Sequence, residues 1–268
     1  MMMAPPPPPS TNCSVLTYKT LYELRLELSD YKEKNIHFLL DTTKNYFSTP
    51  KKYSILSVGP RDGTVEEKLL NSNMKIETLD LIEPNTEYVS SLEKKFLDNN
   101  NVNVIEEIYK ASSISKKYDF ILMNQVSHLF KDPVKEITDS LALLNAQGKL
   151  VIVLHSEKGM HYFRKKIAEK YKEYQMRQLM IGEDLSSLLK DKGIAHTIDF
   201  IDSSMNLEPC LDTNTKKFQD LISFIFLYNF TKCNNTEIIE DIRNDFLQKS
   251  VGINKRLPEP MMIFSIEA

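Results

Sequence analysis

The chain has 268 residues, 41% of them hydrophobic and 26% charged, and a formal net charge of −3. That is ample material for a sizeable core, with no basic field of the kind that binds nucleic acid. No apolar run approaches the length of a membrane span, and Cys13, Cys210 and Cys233 show neither CxxC nor metal-ligand spacing, as expected in a reducing compartment.

Residues 1–17 hold five consecutive prolines, Pro5–Pro9, and read as a disordered or polyproline-II leader without the charged and apolar regions of a secretory signal. Residues 18–52 read as helical, with stripes at Leu21, Leu24 and Leu28 and at Ile36 to Leu40, broken at Ser29-Asp30. These helices precede the first strand and are placed to cover an active-site mouth. From Tyr53 strands and helices alternate: strand Tyr53–Val58, helix Thr64–Leu70, strand Ile76–Ile82, helix Asn85–Leu97, strand Val102–Ile105 and strand Lys117–Met123. Helix Pro133–Leu144, closed by Gly148, and strand Lys149–Leu154 follow. Beyond them the spacing predicts helices Gly159–Tyr174, Gly182–Leu189, Thr213–Tyr228 and Ile238–Leu247, a strand Gly193–Phe200, and a closing antiparallel strand Met261–Ile266. The pattern is doubly wound α/β with a mostly parallel sheet.

The turn after the first strand organises the rest. Only 7 glycines occur in the chain, and two of them, Gly59 and Gly63, fall here. A strand, a tight glycine turn and a helix put bare backbone N–H groups and a helix N-terminus beside a crevice at the carboxyl edge of the sheet. Glu83 ends the second strand, where a carboxylate accepts hydrogen bonds from a ribose diol. Gly59 with Glu83 predicts an adenosine-containing ligand; the bland alternative is a structural turn and a solvated glutamate.

Ile55-Leu56-Ser57-Val58-Gly59, Ile82-Glu83-Pro84-Asn85, Tyr118-Asp119-Phe120-Ile121 with Gln125, Lys131-Asp132, Leu227 to Phe230 and the closing Phe264 to Ala268 carry a resemblance over Tyr18 to Ala268. The chain resembles class I S-adenosylmethionine-dependent methyltransferases, and among them the histamine N-methyltransferase family. The resemblance implies a seven-stranded Rossmann-like sheet within residues 53–268, a small helical substrate region, S-adenosylmethionine as cofactor, and a small-molecule amine or imidazole substrate whose nitrogen is methylated. It implies a cytoplasmic, monomeric enzyme with no nucleic-acid or membrane partner. By matching position, Gly59, Gly63 and Glu83 line the cofactor site, with Tyr88 one turn into the next helix, Ser112 near the adenine, and Asn124 and Gln125 at the end of the fourth strand. Glu33 matches a substrate-holding glutamate of the early helices, or else is one member of the solvated run Asp30–Lys34. His128 is placed to contact substrate or to act as a base.

Three departures stand out. Pro60-Arg61-Asp62 replaces small residues in the glycine loop, and Arg61 either pairs with the cofactor carboxylate or obstructs it. The chain has no tryptophan, and Met160 and Arg164 stand near the positions of aromatic pocket walls. Glu259 stands where an amide would meet substrate, which predicts a more acidic pocket and a more cationic amine. The rival to an enzyme is a catalytically inactive methyltransferase-fold protein that binds a ligand or partner; a nicotinamide oxidoreductase is a third reading, against which stand the missing third glycine and the strand Met261–Ile266.

Overall fold

The structure is a computed structural model describing residues 18–46, 51–172, 179–212, 215–226, 228–230, 235–253 and 255–268. The proline-rich leader, Cys13, Cys233 and Leu227 lie outside the described residues. Helices α1 (Tyr18–Leu28) and α2 (Tyr31–Tyr46) precede β1 (Tyr53–Val58), α3 (Thr64–Leu70), β2 (Ile76–Ile82), α4 (Thr86–Lys95), β3 (Val102–Ile105) and β4 (Tyr118–Asn124). Then come α5 (Pro133–Leu141), β5 (Leu144–His155), α6 (Tyr162–Lys170), α7 (Gly182–Asp191), β6 (Thr197–Ile201), β7 (Ser204–Asn206), α8 (Lys216–Phe226), α9 (Thr236–Lys249), β8 (Arg256–Pro258) and β9 (Met261–Glu267).

Among the described residues seven strands form one sheet in the order β3-β2-β1-β4-β5-β9-β6. β1 to β5 run parallel, and β9 is antiparallel to both β5 and β6. The expected antiparallel final strand is therefore inside the sheet rather than at its edge. Parallel strands covered on both faces read as continuous apolar runs, and alternate residues go to opposite sides. Ile55, Phe120, Leu122 and Val151 pack with α1, α4 and α8, whereas Leu56, Ile121, Met123 and Ile152 pack with α5 and α7. Strand order reverses at β1, so the carboxyl ends of β1 and β4 flank a crevice, the usual ligand position of a doubly wound sheet.

Local chemistry sets the element ends. Asn85 Oδ1 accepts from the N–H groups of Glu87 and Tyr88 at 2.9 and 3.3 Å and starts α4. The Ser29-Asp30 break is pinned from outside, because Asp30 accepts from Ser204 N–H at 2.7 Å and from Arg256 at 2.8 Å. β7 and β8, which form a separate two-stranded sheet, had no signal in the sequence pattern.

Two expected boundaries are corrected. The helix from Pro133 ends at Leu141, and Gly148 lies inside β5, where an added Cβ would come within 3.0 Å of the Tyr118 carbonyl. Gly148 serves close strand approach rather than a helix stop. Likewise Gly159 does not open a helix: a wide turn spans Glu157–His161 and α6 starts at Tyr162. A Cβ on Gly159 would sit 3.1 Å from the Glu259 Cα, so this glycine lets two backbones meet.

Candidate active site

β1 ends in a turn that only glycine fits well. Gly59 has φ +66°, its N–H donates to the Ile82 carbonyl at 2.8 Å, and an added Cβ would lie 2.9 Å from Val126 Cγ2. Arg61 also has positive φ, 55°, and its N–H donates to Glu83 Oε2 at 3.1 Å. Glu83 Oε1 accepts from the Asn85 N–H at 3.0 Å. The carboxyl is buried, and desolvation raises its pKa against the pull of those two N–H groups. Each carboxylate oxygen has capacity for two hydrogen bonds, so both retain one for a ligand hydroxyl. Asp62 is drawn to Lys32 at 2.6 Å and to the Thr64 hydroxyl at 2.8 Å. Gly63, φ +66°, starts α3.

The other residues expected at a cofactor site lie on the elements that follow. Tyr88 is half-buried on α4, Ser112 is exposed in the turn before β4, and Asn124 ends β4 with its Oδ1 accepting from Asn35 Nδ2 at 2.9 Å. Gln125 follows in the left-handed region, φ 57°, an uncommon conformation for a residue with a Cβ. It is buried, its N–H donates to the Val153 carbonyl at 3.0 Å, and Arg61 reaches its carbonyl at 3.5 Å.

Beside Gln125 a pocket opens at the carboxyl ends of β4 and β5, holding about 490 Å³ including space open to solvent. Its polar walls come from Arg25, Arg61, Arg164, His128, His155 and His161. Arg25, buried on α1, donates to Glu259 Oε1 from Nε at 2.9 Å and from a terminal nitrogen at 2.7 Å, and the latter nitrogen also meets His155 Nε2 at 3.0 Å. Its guanidinium carbon lies 3.7 Å from the Tyr31 ring centroid. Ser29 donates to the other Glu259 oxygen. Arg164 Nε donates to the Ile225 carbonyl at 2.7 Å. A guanidinium only donates, so His155 Nε2 accepts and the ring proton sits on Nδ1, a buried atom with no hydrogen-bond partner among the described residues. Burial first, then the Arg25 charge, holds the His155 imidazole neutral; burial and Arg164 do the same for His161.

The structure brings Gly59, Arg61, Gly63, Glu83, Asn124, Gln125 and His128 to one sheet edge. Glu33 does not join them. Tyr31, Asn35 and Leu39, at four-residue steps, form the buried face of α2, and Glu33 is exposed. Glu259 is also corrected: it is the counter-ion of Arg25, with both oxygens engaged, so the acidic pocket expected from it is instead lined by arginine and histidine. Arg25 was missed, though it left a signal: at four residues past Leu21 it is a charge on the apolar stripe of α1. Among the described residues no group of three or more His, Cys, Asp or Glu side chains is placed to hold a metal, and no helix is long and apolar enough to cross a membrane.

Comparison with known proteins agrees with this fold. A family model described as a methyltransferase domain matches residues 24–207. The histamine N-methyltransferase of Rattus norvegicus is 23% identical over 230 residues, covering 77% of each chain. That of Danio rerio is 22% identical over 266 residues, covering 87% of this chain and 89% of its own. Among solved structures, the plantazolicin methyltransferase BamL, in complex with a triazolic desmethylPZN analog and SAH, superposes with a TM-score of 0.52 at 17% identity over 93% of this chain and 90% of its own. The N-methyltransferase NodS from Bradyrhizobium japonicum WM9, in complex with S-adenosyl-l-homocysteine, gives 0.52 at 11% identity over 93% and 97%. At such identities the solved structures share the fold.

Proposed function

Because the chain belongs to the methyltransferase domain family, we propose that it transfers the methyl group of S-adenosylmethionine to a nitrogen of a small amine or imidazole. The observation that carries this reading is the Gly59 turn with the buried Glu83 carboxylate, opening directly onto the pocket beside Gln125. Two relatives named histamine N-methyltransferase support nitrogen as the acceptor atom.

The residues of the crevice fit such a cofactor. Glu83 keeps hydrogen-bonding capacity for the ribose diol, and Tyr88 and Ser112 remain candidates for the cofactor by the resemblance. Asp62 is turned to Lys32, which relieves the bulk expected in the loop. Arg61, near the Gln125 carbonyl, is the candidate for the cofactor carboxylate. When bound, the cofactor supplies an electrophilic methyl group on a sulfonium.

The protein's own task is positioning. An in-line displacement needs an aligned, neutral nitrogen and no protein nucleophile. Positive charges near an amine or imidazole favour its neutral form, and the pocket's guanidinium groups supply them. Gln125, held at positive φ by its N–H bond to Val153, faces the acceptor end. His128, at the same rim, is the candidate to take the proton that the methylated nitrogen releases. Residues 18–52 contribute to the substrate region through Arg25 of α1.

Calorimetric titration with S-adenosylhomocysteine tests the reading. One-site micromolar binding is expected. Absence of binding up to millimolar concentration, in folded protein, overturns it in favour of a methyltransferase-fold protein that does not turn over.

A further inference from the structure

The charged side chains lining the acceptor pocket, among the described residues, are all arginines. An ammonium side arm needs acceptors, and among the described residues lining the pocket there is no Asp or Glu. Glu259, the carboxylate behind it, already accepts two N–H groups of Arg25 on one oxygen and the Ser29 hydroxyl on the other. His155 Nε2, the acceptor end of that ring, is taken by Arg25. The Ile225 carbonyl is taken by Arg164. Leu154, Met160 and Phe224 add apolar surface, and the neutral acceptors among the lining side chains are the Gln125 amide oxygen and the imidazoles of His128 and His161.

Among the described residues, the pocket's charged and buried unsatisfied groups are donors. The His155 Nδ1–H is buried and has no acceptor among the described residues, a costly state that a ligand oxygen relieves. The guanidinium groups of Arg25 and Arg164 line the same space, and guanidinium is the side chain best matched to carboxylate or phosphate oxygens. Arg25 is balanced by Glu259, so the pair adds a donor array rather than net charge. Arg164 places a second guanidinium beside it.

Resting on the methyl-transfer reading above, we propose that the acceptor carries, besides its nucleophilic nitrogen, a small anionic group that docks against Arg164, Arg25 and the Nδ1–H of His155. The site therefore selects a carboxylate- or phosphate-bearing amine or imidazole over a simple diamine. The same donors that repel an ammonium keep the reacting nitrogen unprotonated.

Matched probes test this in the full chain. Imidazole-4-acetate and histamine share a ring and differ in the sign of the side-arm charge. Each is titrated calorimetrically into protein saturated with S-adenosylhomocysteine and into cofactor-free protein, and inorganic phosphate is run as a competitor. Imidazole-4-acetate is expected to bind at least tenfold more tightly than histamine, with phosphate competing. Stronger competition by phosphate than binding by the acetate identifies phosphate as the preferred anion. Arg164→Met is expected to lose at least tenfold in anion affinity with unchanged S-adenosylhomocysteine affinity. Should that variant not fold, His155→Phe, which removes the donor and keeps a ring of similar size, is expected to lose about as much. Histamine binding as tightly as the acetate, absence of binding by both anions up to millimolar concentration, or full anion preference retained in His155→Phe overturns the proposal. Failure of S-adenosylhomocysteine to bind would instead strike the cofactor reading, and the cofactor-free titrations would still decide the pocket.

Discussion

Glu66 lies beneath the Gly59 turn and makes stability depend on pH in a direction opposite to the usual carboxylate. Its side chain is 2% exposed; Oε1 accepts the Ser57 hydroxyl at 2.6 Å, and Oε2 has no hydrogen-bond partner among the described residues. Desolvation, only partly opposed by Ser57, pushes the carboxyl from 4.5 up to about 7. Below pH 4.5 both folded and unfolded chains hold the proton. Between there and pH 7 the unfolded chain releases it and the folded chain does not, so stability falls as pH rises and is level above. At about 1.4 kcal/mol per tenfold change in the proton equilibrium, the loss is about 3 kcal/mol. His155 and His161 act the other way. Their rings stay neutral when folded, so the unfolded chain gains protons below its ordinary imidazole value and stability falls with acid. Glu66→Gln isolates the carboxyl: urea denaturation of both proteins from about pH 4.5 to about pH 8 gives a stability difference free of the histidines. The variant should gain about 3 kcal/mol on the wild type across that range. A difference constant within about 0.5 kcal/mol would refute a protonated Glu66 in the folded protein.

Glu83→Ala removes a carboxylate that holds the Arg61 and Asn85 N–H groups and should weaken S-adenosylhomocysteine binding by about 1.5–3 kcal/mol in calorimetry; unchanged affinity in folded protein contradicts the ribose assignment. Gly59→Ala combines a left-handed alanine, about 1–2 kcal/mol, with the 2.9 Å approach to Val126. Adding Val126→Ala should recover only the contact part of the lost thermal stability. Arg25→Met leaves Glu259 buried without its cation and should cost about 3–5 kcal/mol in urea unfolding, whereas Arg25→Met with Glu259→Met should cost less. Glu33→Gln, on the exposed face of α2, should leave Michaelis constants for amine acceptors unchanged; a several-fold rise would return Glu33 to the substrate site.

The fold was legible because its signals are local. The runs Tyr53–Val58 and Ile76–Ile82 become β1 and β2 with the expected bounds, since central parallel strands are buried on both faces and must be apolar throughout. Glycine was less informative. Gly59 marks the turn it was expected to mark, but Gly148 and Gly159 were read as helix punctuation and serve backbone approaches set by distant partners, the Tyr118 and Glu259 segments. No window of sequence around either glycine contains that partner.

The site divides along the same line. The crevice is built from the ends of β1, β2 and β4, each followed by its own residues, so Gly59 and Glu83 could be placed there from local pattern, and Asn124 and Gln125 from the resemblance. The pocket beside Gln125 joins α1, the end of β5, α6 and α8, and its charge depends on pairings across 234 positions of sequence, as between Arg25 and Glu259. Glu259 taken alone predicts an acidic site; Glu259 with Arg25 predicts a donor-lined one. A carboxylate buried beneath a pocket thus has no fixed meaning until its partner is known. Once Arg25 is paired with Glu259 and Ser29 binds its other oxygen, the glutamate no longer argues for an acidic pocket, and the substrate preference expected from it loses its basis.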